Sequence, residues 1–503
     1  MNNKEVRTRF CPSPTGAGLH IGGVKTAIIN YLFAKANNGK FILRIEDTDS
    51  GRFVPGAEKN IIDSLKWIGI TPDDGINDDG TAKYRQSEKD YSAHIKKLVD
   101  SGHAYYCFDT SEELDVMRAK VGEKSKKPFS YNSFYRTFMK NSFTLSPDEV
   151  KDRISKGEKY VLRLSTPVNK EIKLNDLIRG EVVFNTKNID DKILLKSDGG
   201  PSYFLANTVD DIDMDITHVI KGSEWLSSYP TIALLYEAFG CEIPKFAHVP
   251  LLNGPDGKKL SKRKVKEYGF PVCLLEGVEK DENGVETKFS GFKEEGYIPE
   301  AFLNFLTLIG WNNKDNKELY SLEELIGVFS LDNIAKADAQ FDLKKAKYYN
   351  ATYLRNKSSD DLLKFIDTKG NNSYSYVDLQ KIVEVAKERA EFSKDLSYAV
   401  SYFFVAPIVS VNDVPLKNPE EFTKVMNLFL SKLSLMDWNT DEIHKVIHDL
   451  CDFVGIKSGK VMPDLRRAIC GTLPGPEMPV IMSIMSKDDV RSRIEMLLVP
   501  NLA

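Results

Sequence analysis

Residues 7–23 read Arg7-Thr8-Arg9-Phe10-Cys11-Pro12-Ser13-Pro14-Thr15-Gly16-Ala17-Gly18-Leu19-His20-Ile21-Gly22-Gly23, and their order decides the fold. Residues 6–11 make a short strand that stops at two prolines, which cannot donate to a ladder. Residues 15–18 are small and turn-prone, and Gly16 and Gly18 accept backbone conformations that other residues avoid. Val24, Ala27, Ile28, Tyr31 and Leu32 then recur at the spacing of a buried helix face. A strand, a glycine-bearing loop and a helix N-terminus together make an anion site, because unpaired N–H groups and the helix dipole point at whatever sits there.

Two familiar phosphate fingerprints do not fit this stretch. Ile21 stands where a dinucleotide fingerprint begun at Gly16 needs glycine, and Val24 where a P-loop begun at Gly18 needs lysine. His20-Ile21-Gly22-Gly23 does resemble the histidine-x-glycine-x signature of class I aminoacyl-tRNA synthetases, in which histidine and backbone amides hold the phosphates of ATP. The preceding Pro12-Ser13-Pro14-Thr15-Gly16 resembles the glutamyl/glutaminyl branch of that class.

Composition sets wider bounds. A chain of 503 residues, 42% hydrophobic and 28% charged, is expected to form three or four soluble domains. The N-terminal residues lead directly into the first strand, which predicts no signal or transit peptide. The longest uncharged run, residues 396–412, is broken by Pro407 and too short to span a membrane. Six cysteines without a C-x-x-C pair suit a reducing cytoplasm. A net charge of −4 rules out bulk polybasic attraction but not a local basic face for nucleic acid.

Further along, Phe41-Ile42-Leu43-Arg44-Ile45 is nearly continuous in apolar character, as in a strand buried on both sides of a parallel sheet. The acidic Glu46-Asp47-Thr48-Asp49 after it fits either the ligand-binding carboxyl edge of an α/β sheet or a solvated loop with capping aspartates. Residues 55–70 read as a helix. Between about 110 and 190 the texture turns to charged helices and short strands, as in an inserted α+β domain. Residues 203–207 return to the core sheet, with a strand at 216–220 and an apolar helix at 230–240. After the turn cluster Asn253-Gly254-Pro255-Asp256-Gly257, six of the nine residues from 258 to 266 are basic. Alone, these read as a solvated loop or a nonspecific nucleic-acid patch. Residues 272–291, with a hairpin turn expected at Asp281-Glu282-Asn283-Gly284, have no function legible in sequence. From residue 322 onward helices take over. One is expected to begin at Asn418-Pro419-Glu420-Glu421, an N-cap with proline at N1 and a box glutamate. His444 and His448 have the spacing of metal ligands, but they lack an inner glutamate and sit beside the apolar face, so no metal site is expected.

The resemblance extends through this whole order. Arg44-Ile45-Glu46-Asp47-Thr48-Asp49 is a run associated with glutamyl-tRNA synthetases, and Lys259-Leu260-Ser261-Lys262-Arg263 resembles the second class I signature. The chain is thus similar to bacterial-type glutamyl-tRNA synthetases. That likeness implies a Rossmann-like catalytic domain at 1–109 and 191–240, split by an acceptor-end-binding insertion at 110–190. It further implies a stem-contact region at 241–330 and a helical anticodon-binding region at 331–503. It implies ATP, arriving with Mg²⁺ and no protein metal ligands, as the partner of Gly16, His20, Gly22, Gly23, Glu224, Trp225, Lys259 and Lys262, with His20, Lys259, Ser261 and Lys262 catalytic. Glutamate would meet Arg9, Ser13, Glu46, Tyr203, Asn207 and Lys221, with Arg9 suited to a bidentate hold on a carboxylate. Lys221 stands where many relatives have arginine, keeping the charge but losing the fork. Arg389 matches an arginine that approaches the anticodon of tRNA(Glu), although an exposed helix arginine reads equally well.

Many relatives carry zinc in the insertion. This chain offers only Cys107 there, so no structural zinc is expected. A cytoplasmic monomer is the expected state. The alternatives are an enzyme that also charges tRNA(Gln), a shorter tRNA-modifying paralogue, a small-molecule nucleotidyltransferase of the same superfamily and a non-catalytic tRNA-binding protein.

Overall fold

The computed structural model describes residues 4–125, 129–280, 284–370, 373–407, 416–471 and 475–498. The expected turn at Asp281-Glu282-Asn283 and residues 408–412 of the uncharged run lie outside the described residues. The chain forms two compact units. The first runs up to Glu294 and includes Phe302–Leu343; the second takes Glu295–Ala301 and the chain from Lys344 onward.

In the first unit, β1 (Arg7–Phe10) pairs in parallel with β2 (Lys40–Leu43), and the crossover is the helix Ile21–Ala36. Its buried face includes Val24, Ala27, Ile28, Tyr31 and Leu32, so the apolar spacing translates directly into packing on the sheet. The insertion follows. There β3 (Ala104–Cys107), β4 (Val161–Leu164) and β7 (Ile193–Leu195) form a three-stranded sheet that draws its outer strands from just beyond 110–190. β5 (Glu171–Asp176) and β6 (Gly180–Asn185) form a hairpin. The hairpin reaches back to the core, where Asp176 of β5 pairs with Phe246. Cys107 lies in a hydrogen-bonded knot, its sulfur 2.9 Å from Asp109 Oδ2 and 3.1 Å from the Tyr131 hydroxyl.

The core sheet resumes with β8 (His218–Gly222), parallel to β9 (Lys245–Val249), joined by the helix Tyr229–Phe239. The Arg7 amide donates to Thr217 Oγ1 (2.8 Å) and the Thr217 amide to the Arg7 carbonyl (3.1 Å), which sets β1 beside β8. β1, β2, β8 and β9 therefore end along one carboxyl edge, where an open α/β sheet presents its ligand crevice. The helix expected at 55–70 is Ala57–Trp67, shortened because Gly56 and Gly69 both take positive φ at its ends. Residues 272–291 contain an antiparallel hairpin, Gly277–Lys280 with Glu286–Phe289.

Every regular element among the described residues of the second unit is helical. Its core gathers Leu354, Ile382, Phe403, Phe422, Phe429 and Ile447. The helix Pro419–Lys432 begins where expected, with Pro419 in its first turn, but Asn418 makes no side-chain cap bond and no box forms. Asn418 Nδ2 donates instead to the Lys460 carbonyl, and Asp464 accepts the amides of Lys417 and Asn418. A neighbouring helix thus satisfies the Asn418 amide, the donor that the box glutamate would have served. Among the described residues no helix is long and apolar enough to cross a membrane. Nor does any group of three or more His, Cys, Asp or Glu side chains among them fit a metal ion.

Candidate active site

At the carboxyl edge lies a cavity of about 400 Å³ that joins three chemically distinct walls. The first is the helix start. His20 is the N-cap of Ile21–Ala36, with extended backbone, and its Nδ1 accepts the Gly22 N–H at 3.0 Å. A neutral ring accepting at Nδ1 carries its proton on Nε2, and that atom is buried without a hydrogen-bond partner. Burial, then the Lys262 and Lys259 charges, push the His20 pKa down to about 4. At neutral pH the imidazole is an uncharged donor aimed beside the Gly22 and Gly23 amides.

Lys259 reaches the same wall from a tight turn. The Gly254 amide donates to the Lys258 carbonyl (2.8 Å), Gly257 takes φ 72°, and Leu260 pairs back onto Leu252. Lys259 Nζ donates to Glu224 Oε1 at 2.9 Å. The Glu224 carboxylate folds over Gly222, where a Cβ would lie 2.0 Å from Oε2, so only glycine permits that approach. Lys262 Nζ donates to the Gly18 carbonyl at 3.0 Å and lies 2.9 Å from where a Cβ on Gly16 would be.

The second wall is polar and deeply buried. Arg9 is held side-on by Asp211, with Nε to Oδ1 at 3.0 Å and Nη2 to Oδ2 at 3.1 Å. Its Nη1/Nη2 end stays available for a bidentate ligand. Arg44 donates to Asp211 (2.8 Å) and Glu46 (3.3 Å). Asn207 Nδ2 donates to Glu46 Oε1 at 2.5 Å, while Asn207 Oδ1 is buried without a partner. Lys221 Nζ donates to the Tyr203 hydroxyl (3.0 Å) and lies 5.6 Å from the rings of Tyr203 and Trp225. Burial, followed by repulsion from Arg9, pulls the Lys221 pKa down to about 8.

The third wall is apolar: Val249, Pro250, Leu251, Leu252 and Leu260, with Thr26 and the buried Lys25 at its edge. Lys25 Nζ has no hydrogen-bond partner, and burial moves its pKa down to about 8 against the opposing pull of Asp338.

Of the site residues expected from sequence, Arg9, His20, Gly22, Gly23, Glu46, Tyr203, Asn207, Lys221, Glu224, Trp225 and Lys259 line this one cavity. Ser13, Gly16, Ser261 and Lys262 do not. Ser13 is exposed, and Ser261 is the N-cap of the short turn Lys262–Lys264 without a side-chain cap bond. Arg389 is exposed in the second unit just past the helix Tyr376–Lys387 and makes no ion pair among the described residues. Sequence reading gave no role to Arg44, Asp210, Asp211 or Lys25. The available signal was an arginine inside an apolar run and an Asp-Asp pair in a stretch read as returning to the core sheet but found in the helix Tyr203–Asp213, charges that burial permits only in partnership.

The chain matches the catalytic-domain model of class I tRNA synthetases (E and Q) over residues 5–271 and an anticodon-binding-domain model over 353–498. It is 46% identical to a glutamate–tRNA ligase of Flavobacterium psychrophilum over 506 residues, covering 98% of this chain and 99% of that one. Against the ligase of Bacteroides fragilis the identity is 42%, with the same coverages. A crystal structure of a glutamate–tRNA ligase from Elizabethkingia meningosepticum, in complex with its amino acid, superposes with a TM-score of 0.89 at 42% identity, covering 98% of this chain and 99% of that one. Family models spanning both units, near-full-length relatives and a matching fold agree: the chain belongs to the glutamate–tRNA ligases of the class I tRNA synthetase family.

Proposed function

We propose that the polar wall holds glutamate, the helix start holds the phosphates of ATP and the apolar wall holds its base. The observation that carries this reading is the continuity of the three walls in one cavity, with the His20 Nε2–H unpartnered between them. Arg9 and Lys221 offer cations to carboxylate, while Glu46 and the unpartnered Asn207 Oδ1 offer acceptors to the ammonium group. Tyr203 closes this shell. The α-carboxylate of glutamate attacks the α-phosphorus of ATP, the bond to the bridging oxygen breaks, and pyrophosphate leaves. Such chemistry needs little covalent help and much charge stabilisation at the transferring group. His20, the Gly22 and Gly23 amides, Lys259 and Lys262 supply it, with the Gly16 turn and Ser261 shaping the loops that carry them and Glu224 and Trp225 flanking the nucleotide. Mg²⁺ would arrive with ATP and neutralise charge on its phosphates, with no residue of this chain assigned to hold it.

In the second step the 2′-hydroxyl of the terminal adenosine of tRNA(Glu) takes the acyl group from the adenylate. The insertion at 110–190 receives the acceptor end, 241–330 the stem, and the helical region from 331, with Arg389, the anticodon. The length of the chain and its 353–498 match to an anticodon-binding model disfavour the tRNA-modifying paralogue. We read the protein as a cytoplasmic monomer.

ATP–pyrophosphate exchange with glutamate, glutamine or aspartate, each with and without tRNA, tests this assignment. Exchange confined to glutamate supports it, and exchange with aspartate instead refutes the polar-wall assignment. Charging of purified tRNA(Glu) against tRNA(Gln) then sets the anticodon range.

A further inference from the structure

The hairpin Gly277–Lys280/Glu286–Phe289 is not used by the mechanism above, yet it is built onto the residues that carry His20. The Ile21 amide donates to the Val272 carbonyl (2.9 Å) and the Leu274 amide to the Leu19 carbonyl (3.1 Å), so 272–274 runs antiparallel to 19–21. Asn60 ties the same two strands together, accepting from the Leu19 amide and donating to the Glu276 carbonyl. From this root the hairpin returns so that Phe289 lies opposite Gly277. The Phe289 ring rests on the phosphate loop: a Cβ on Gly18 would stand 2.8 Å from Cζ, and one on Gly277 2.5 Å. Both positions need glycine for the ring to sit there.

The ring is also one side of a socket. Lys262 Nζ lies 5.9 Å from its centroid, donates to the Gly18 carbonyl at 3.0 Å and has Glu279 Oε1 at 3.6 Å. Gly16 and Gly18 form the near sides of this socket, and Glu279 and Phe289 the far sides. The ammonium is therefore held beside the helix start although Lys262 does not line the cavity, and its charge depresses His20 more than that of Lys259 does. A lysine stem otherwise spreads its charge over many rotamers.

We propose that the hairpin is a positioning element for adenylate formation: Phe289 and Glu279 hold the Lys262 ammonium against the Gly16–Gly18 loop before ATP arrives. The incoming phosphate then replaces Glu279, a partly exposed partner at long range, while the ring and the Gly18 carbonyl keep the ammonium in place. This rests on the role assigned to Lys262 above.

The test is ATP–pyrophosphate exchange on the full chain with Lys262→Ala, Phe289→Ala, Glu279→Gln and each hairpin variant combined with Lys262→Ala. Phe289→Ala should lower kcat/KM for ATP about tenfold, the scale of a lost cation–π and positioning contact, with KM for glutamate unchanged. Phe289→Tyr, which keeps the aromatic face, should restore most of it. Glu279→Gln, at an exposed position that does not threaten folding, removes a partner that phosphate must displace and should lower KM for ATP about twofold. Both effects should vanish in the Lys262→Ala background, measured on its residual exchange. Full additivity there, or wild-type behaviour of both hairpin variants beside a disabled Lys262→Ala, overturns the proposal. An unimpaired Lys262→Ala instead removes the role of the lysine itself.

Discussion

At the Arg9 end of the cavity the charges are tied to fixed partners, whereas at the His20 end the cations stand on turns. Arg9, Arg44 and Asp211 are each 3% exposed or less and share one hydrogen-bonded network. Lys259, by contrast, is 61% exposed and has one partner, Glu224, itself 34% exposed. On the proposed assignment, the difference follows from what each end is to recognise. An amino acid is discriminated by shape and charge, so its donors have to be oriented before it binds, and burial among paired charges does this. A polyphosphate carries enough charge to recruit lysines from solvent, and a flexible ammonium suits it. On the proposed assignment, selectivity would reside in the core and phosphate grip in loops.

The sharpest way to break this contrast is to remove the anion that orders the polar wall. Asp211→Ala leaves the buried Arg9 without its carboxylate partner and Arg44 with only Glu46 and Asp210, and should destabilise the protein by about 3–5 kcal/mol. The expected result is a large drop in the denaturant midpoint of the first transition. A midpoint within error of wild type would mean that water replaces Asp211 and that the wall is not preorganised. At the other end, His20→Ala should leave the midpoint nearly unchanged, apart from about 1 kcal/mol for the lost cap. Its pyrophosphate exchange should fall by about 10²–10³-fold, as for removal of one preorganised donor at a charge-developing centre. A fall in stability without a fall in kcat would reverse the roles given to the two ends.

Much of this arrangement was legible in the chain. The strand, turn and helix of 7–36 follow from two prolines, small residues and the 3.6-residue spacing, all local effects. The Arg9–Asp211–Arg44 network was not legible, because Arg9 sits on β1, Arg44 just past β2 and Asp211 on the helix Tyr203–Asp213, and only tertiary packing brings them together. The socket around Lys262 was hidden for the same reason: it needs 272–274 to pair with 19–21, some 250 residues apart. The missing capping box at Asn418 shows the converse. There a local signal gave way to a tertiary one: Asp464, on another helix, accepts the Asn418 amide that the box glutamate would have taken.

Lys221 sharpens the comparison, being a polar-wall cation with a loop-like chemistry. Its pKa of about 8 places deprotonation within reach of ordinary assay conditions. The charged form, which attracts carboxylate, prevails below that value and is lost above it. Glutamate kcat/KM should therefore decline as pH rises through about 8, by roughly tenfold per unit once the neutral amine dominates. Lys221→Arg, whose guanidinium does not deprotonate, should flatten this limb. The same decline in the arginine variant would assign the titration to another group, and Lys25, pushed to a similar value, would be the next to test.

The smallest effect belongs to the loop end. Glu224 holds Lys259 through a contact whose partners are both substantially solvated, and ion pairs of that kind contribute about 0–1 kcal/mol. Glu224→Gln keeps the side chain folded over Gly222 while removing its charge. If Glu224 only restrains Lys259, the variant should change KM for ATP by no more than about threefold, in a direction set by two opposing effects. Losing the restraint weakens phosphate binding, whereas losing a carboxylate beside the phosphates strengthens it, and the second is screened by salt. Measuring KM for ATP at low and high ionic strength separates them. A change larger than tenfold at both would show that the phosphate end is as tightly preorganised as the glutamate end, and the contrast between them would fail.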